Sequence, residues 1–339
     1  MTHRLKKTAL LAALAVFLTF PTFATAQQKA GSSSDDALAN RKFAICVNVA
    51  AFRETPLGAK LFEVFRQKAV AQIERHHKSQ DAPEKIKKVL GFDPFEEIKG
   101  ITVIGSDYDD PEKDLKVVVH MGKTTGNLEG LLLARPDYES STYGDYVIHT
   151  AAPTSFFGKS GPHRSYGAVR TDSSGIKTVA LAVSREGVIE LLDAIEQDTL
   201  FDRLGLPEAH KALLSVYLEE RPKDKTEIER KLPAASNAAK LIQRVAFMIY
   251  DREGDFQCKM VLTAKQDQQA EQLRQMAEGL AAMAALAEPA RGEEEKVKAA
   301  QKLLEGLKVT RNGSEVTLEL KVPGEAVVRL LKDEASLSM

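Results

Sequence analysis

Apolar and polar positions along the chain alternate in two distinct rhythms, and the rhythms divide it into elements. Phe43-Ala44-Ile45-Cys46-Val47-Asn48-Val49 is a short apolar run that predicts a buried strand. Thr55 as N-cap and Pro56 at the first helical position then open a long helix to about Lys78. Leu57, Leu61, Phe65, Ala69 and Ile73 recur at four-residue spacing and mark its expected core face. A second short helix ends at Gly91, and Asp93-Pro94 caps a further turn with Glu96 and Glu97 near its positive end.

Strands are expected at 101–105 and 115–121, a helix from about Thr125 to Ala134, and a strand at 145–150. Two more strands at 165–170 and 177–183 precede a helix from Arg185 to Ile195. In the later half, strands at 244–250 and 255–264 meet at Asp251-Arg252-Glu253-Gly254. Helices at 266–288 and 293–306 follow, interrupted by Pro289 and Gly292. Strands at 307–311 and 315–321 join through Asn312-Gly313, a strong short hairpin signal, and a last helix begins at Pro323.

Each half thus reads strand, strand, helix, strand, strand, helix, with an extra strand and a longer loop in the first. This pattern predicts an α+β fold of two duplicated units, antiparallel strands covered by helices. The expected boundaries are a leader at 1–26, a flexible lead-in at 27–42, a first unit at 43–196, a helical connector at 197–243 and a second unit at 244–339. The leader is read from Arg4, Lys6 and Lys7, an apolar stretch from Ala9 to Phe20, and Ala24-Thr25-Ala26 as a cleavage signal. Cleavage before Gln27 sends the protein to the periplasm or beyond. The apolar stretch is short for a membrane span, and no later segment reaches 18 consecutive apolar residues.

Composition narrows the function classes. Of 339 residues, 43% are hydrophobic and 28% charged, which excludes collagen-like and wholly disordered chains. The net charge of -1 comes from 47 basic and 48 acidic residues, interspersed, so the basic face that nucleic acid requires is missing.

Gly91-Phe92-Asp93-Pro94-Phe95-Glu96, leading into Ile101-Thr102-Val103, resembles a group of exported bacterial proteins of unknown function. So does Leu303-Leu304-Glu305-Gly306-Leu307-Lys308-Val309, followed by a hairpin and Val322-Pro323-Gly324. The resemblance implies a duplicated α+β protein outside the cytoplasm and brings no catalytic residues with it.

Candidate chemistry is sparse. The loop from Ala151 to Gly175 holds Phe156, Phe157, His163, Arg164 and Tyr166 among Gly, Ser and Pro; aromatics with Arg make contact surfaces. The competing reading is an insertion whose two Phe residues tuck against the domain. Asp107, Asp109, Asp110, Glu112 and Asp114 crowd five carboxylates into eight residues, which suits calcium. Pro111 and Glu112 break the EF-hand pattern, and a solvated turn guarding the hairpin explains the same residues.

Glu74, His76 and His77 are poorly spaced for a metal, since adjacent imidazoles point in different directions. Phe157-Gly158-Lys159-Ser160 ends like a phosphate loop but lacks its first Gly and its helix. Cys46 and Cys258 form either a disulfide or two separate buried thiols. Leu273, Met276, Leu280, Met283 and Leu286 or Ala287 form a seam that docks either the neighbouring helix or an outside partner. No nucleophile elbow, Cys-x-x-Cys or Gly-x-Gly-x-x-Gly occurs. The expectation is a non-catalytic binding or structural protein of the cell envelope without a cofactor, the alternative being an envelope hydrolase with its site between the units.

Overall fold

The computed structural model describes residues 38, 40–77, 81–108, 110–123, 133, 138–151, 164–219, 233–252, 254–286, 301 and 304–324. It is a mixed α/β protein whose strand pairings are antiparallel wherever register is resolved. The chain divides into two compact units, one over Gln27–Tyr217 and one that includes Leu218–Met339. None of the described helices is long and apolar enough to cross a membrane.

The earlier unit opens with β1 (Phe43–Val47) and four helices, α1 (Val49–Glu54), α2 (Pro56–His77), α3 (Ala82–Leu90) and α4 (Pro94–Glu97). It continues through β2 (Ile98–Gly105), β3 (Lys116–Met121), β4 (Glu139–Tyr143), β5 (Tyr146–Ala151), β6 (Ser165–Thr171) and β7 (Lys177–Ala182). Then come α5 (Arg185–Glu196), α6 (Leu200–Arg203) and β8 (Leu214–Glu219). In space the strands run β8-β1-β2-β3-β7-β6-β5-β4.

Alternation along each strand decides the two faces of this sheet. Cys46, Thr102, Val118, Ala180 and Ala168 are successive partners across five strands, and all are buried. The small side chains of Ala168, Ala180 and Ala182 let α5 approach closely, and Gly187 completes the fit. A Cβ on Gly187 would stand 2.9 Å from that of Ala182. Val188, Leu191 and Leu192 of α5 are buried as a result. Ser184 caps the helix by accepting from the Gly187 amide at 3.0 Å.

Two expectations need correction here. The stretch 197–243 is not a helical connector, because it contains β8. Ser215, Val216 and Tyr217 are buried in succession, so the strand shows no alternation, and a short continuous apolar run does not distinguish strand from helix. The lead-in is anchored at its described end: Leu38 is fully buried, its amide donates to the Glu190 carboxylate, and Arg41 donates to its carbonyl at 2.7 Å. Arg41 also lies 4.4 Å from the Tyr217 ring centroid. Of the two readings of Cys46 and Cys258, the structure has the separate buried thiols. Burial pushes them up to about 11 and about 12, the Thr102 hydroxyl beside Cys46 offsetting part of its rise.

The later unit holds α7 (Pro233–Leu241), β9 (Ile242–Arg252), β10 (Asp255–Ala264), α8 (Asp267–Ala285), β11 (Lys308–Asn312) and β12 (Glu315–Pro323). Its strands lie in the order β9-β10-β12-β11. Ala264, Ala270, Leu273 and Val316 form its core, with Leu241, Leu262, Val309 and Leu318 packed around them. Gly313, at φ +57°, takes the first turn position between β11 and β12, since Asn312 and Glu315 are already cross-strand partners.

Candidate functional site

The β4–β5–β6 corner of the earlier unit gathers the polar chemistry that the sequence placed near residues 151–175. Gly144, at φ +54°, opens the two-residue turn that makes β4 and β5 a hairpin. The resulting register sets Glu139 opposite Thr150 and Ser140 opposite His149. Strand β6 then brings Gly167 opposite His149 and Tyr166 opposite Thr150.

Two polar pairs result. Arg164 grips Glu139 with both guanidinium arms, at 2.8 and 3.1 Å, a fork geometry suited to carboxylates. That contact and the Arg164 charge hold the Glu139 carboxyl below its usual range. His149 is 5% exposed and shares a hydrogen bond of 2.8 Å between its Nδ1 and the Tyr138 hydroxyl. Its other nitrogen, Nε2, is buried without a hydrogen-bond partner, as is the Thr150 hydroxyl on the next residue.

Of the residues expected in this surface, Arg164 and Tyr166 are found together at the start of β6, while Phe156, Phe157 and His163 lie outside the described residues. Sequence reasoning missed Tyr138, Glu139 and His149. The signal was present in Tyr143-Gly144-Asp145-Tyr146, because pairing outward from that turn gives Glu139 opposite Thr150. It went unread because Glu139-Ser140-Ser141-Thr142 is a polar, exposed edge strand without an apolar beat.

The acidic turn is arranged differently from a cation cage. Asp107 faces Lys113 at 3.8 Å and accepts from the Asp110 amide at 3.3 Å. Asp114 takes the Lys116 ammonium at 2.8 Å. Asp109 and the Glu112 side chain lie outside the described residues, as do the side chains of His76 and His77. Among the described residues no three His, Cys, Asp or Glu side chains are grouped to hold a metal ion.

Lys116 belongs to a buried ionic set. Its side chain is 2% exposed and also meets Glu190 at 3.9 Å, while Arg203 approaches Glu190 at 3.7 Å. Two cations and two carboxylates balance there, closed off from solvent at the lysine, which makes this an internal tie between β3, α5 and α6.

No family model matches the chain, and no curated protein matches it. Solved structures similar to it include three crystal forms of TP0453. Crystal form III shares 10% identity at a TM-score of 0.39, covering 89% of this chain and 99% of that one. Form I shares 9% at 0.34 over 89% and 98%, and form IV 8% at 0.37 over 88% and 97%. At such scores the likeness assigns neither fold nor function.

Proposed function

We propose that the chain is an exported protein, processed near Ala26, that binds a component of the cell envelope without transforming it. The observation that carries this reading is the β4–β6 corner. A bidentate Arg164–Glu139 pair stands there on the same face of the sheet as Thr150, the cross-strand partner of Glu139, whose buried hydroxyl has no hydrogen-bond partner. An unfilled polar atom beside an exchangeable ion pair suits a ligand that supplies its own hydrogen bonds and carboxylate. Calcium is not required by this reading, since Asp107 and Asp114 already face lysines.

The chain is also read as duplicated. In one unit β2 and β3 are followed by β6 and β7 in the spatial order β2-β3-β7-β6, and in the other β9, β10, β11 and β12 give β9-β10-β12-β11. The two orders correspond strand for strand. On this reading the β4–β5 hairpin is an addition to the earlier unit alone, and the candidate site sits on the addition. A difference of that kind between repeats is where a function confined to one of them would lie.

Thermal unfolding of the purified protein with cell-wall fragments tests the proposal. A fragment that binds raises the melting temperature of the wild type, and Arg164→Ala and Thr150→Val lose the rise. Undiminished shifts in both variants would remove the corner from the function. Turnover of a fragment would instead favour the hydrolase alternative.

A further inference from the structure

The two faces of the earlier unit's sheet are unequal. On the face that α5 covers, Cys46, Thr102, Val118, Ala180 and Ala168 are buried. The residues that alternate with them form two rows across the strands. One row runs Ile45, Val103, Val117, Leu181, Gly167 and His149, each the cross-strand partner of the next. The other runs Val47, Ile101, Val119, Val179 and Val169 in the same way. Every aliphatic side chain in the two rows is half-buried and none is fully buried. Of the described helices, α5 is the one that packs along β3, β6 and β7, and it lies against Ala182 on the opposite face. With about 4.8 Å between strands, the first row spans about 24 Å from Ile45 to His149.

His149, where the first row ends, supplies a second observation that does not depend on exposed apolar surface. Its ring is 5% exposed, and Nδ1 is bonded to the Tyr138 hydroxyl at 2.8 Å. Tyr138 lies on the β4 side of the ring, two residues before Ser140, the cross-strand partner of His149. Nε2 is therefore turned the other way, toward β6 and the row, where it is buried without a hydrogen-bond partner. The neighbour on β6 is Gly167, so no side chain of that strand separates the imidazole from Leu181. A Cβ on Gly167 would meet Leu181 Cδ2 at 2.7 Å and no atom of His149 within 4 Å. Leu181 thus leans over the glycine, at the passage between the aliphatic rows and the ring.

We infer that this face binds a long-chain fatty acid, its chain laid along the rows and its carboxylate received by His149 Nε2. In the tautomer that lets the Tyr138 hydroxyl donate to Nδ1, the imidazole proton sits on Nε2 and is offered to an oxygen. Between Ile45 and Gly167 the rows hold no charged, aromatic or methionine side chain. Methylenes suit such a surface, whereas protein partners are met by Tyr, Trp, Met and Arg. Leu181 turns aside to another rotamer as the head passes. The site lies on the face opposite Thr150 and Glu139 and stands apart from the role proposed for them.

Isothermal titration of the purified protein with laurate and with dodecyltrimethylammonium, both below micelle-forming concentration, is the test. The two probes share one chain and differ in the head, which in the second has no oxygen. Wild type binds laurate at least about tenfold more tightly, the worth of one hydrogen bond to a charged group. His149→Phe keeps a ring in place and loses that preference while still binding the chain. Val119→Asp sets a charge in the middle of the second row and weakens both probes at least about tenfold. Far-UV circular dichroism checks that this variant folds, and His149→Phe carries the test where it does not. A wild type that binds neither probe, or both equally, overturns the proposal, as does a His149→Phe protein that keeps the preference. Self-association of the wild type that Val119→Asp abolishes would give the face to a second copy and overturn it too.

Discussion

His120 shows how a single residue ties burial to pH. It sits on β3 between Gly100 and Thr178, its ring 6.4 Å from that of Phe201, with Nε2 buried and unpartnered. Burial pushes its pKa below the ordinary 6.5, because the charged ring has lost its water. The sign follows directly. Below 6.5 the unfolded chain takes up a proton at this position that the native state resists, so stability from His120 is present above 6.5 and is lost as pH falls below it. His120→Phe removes that proton uptake and keeps the ring contact. Urea unfolding between pH 7.5 and 5 should show a shallower acid-side loss in the variant than in wild type. Equal slopes would mean that His120 protonates without cost in the folded protein. The same sequence that hid this residue from a functional reading, a lone His in an apolar strand, gives no hint of its unsatisfied nitrogen, since that depends on what α6 lays across it.

At the scale of elements, what the sequence revealed and what it withheld separate cleanly. Strands with alternation or a turn signal were legible: β2, β3, β7, β9, β10 and β12 lie within a few residues of their expected positions. The two that were missed each lacked a beat, β8 because it is buried in succession and β4 because it is polar throughout. Helix α2 shows a subtler gap. Its periodicity correctly names a shared face but not what covers that face. The helix packs chiefly on α1 and α3, and Arg53 fastens this group to β2 by donating to the carbonyls of Phe95 at 3.2 Å and Ile98 at 2.6 Å. Of the expected core stripe, Leu61 is buried while Phe65 is 54% exposed, its ring set edge-on to that of Phe52 with centroids 6.2 Å apart. Equal positions in the pattern thus differ in energy. Leu61→Ala should cost about 2–4 kcal/mol, and Phe65→Ala less than about 1 kcal/mol, measured by urea unfolding. Comparable losses would mean that α2 is covered along its whole length.

For the whole molecule, the open question is where the fold begins, and the answer lies upstream of the first strand. A polar, Ser-rich lead-in reads as chain without structure, yet Leu38 is fully buried and its amide and carbonyl are both engaged. One leucine flanked by two alanines in an otherwise polar stretch carries no periodicity, so no pattern could have placed it. Its partners come from far along the chain: Glu190 on α5, already shared with Lys116 and Arg203, and Tyr217 on β8 through Arg41. A protein starting at Lys42 would keep every strand and helix described and lose this closure. Burying a leucine is worth about 1.5–3 kcal/mol, and the amide bond to a carboxylate adds about 1 kcal/mol. In a protein of this size each kcal/mol moves the melting temperature by about 2–4 °C, so the shortened chain should melt roughly 5–15 °C below one starting at Gln27. Leu38→Ala in the longer chain should reproduce most of that drop, because the side chain carries most of the energy. Identical melting of the long and short chains would return the lead-in to the role that its composition suggests, a tether with no part in the fold.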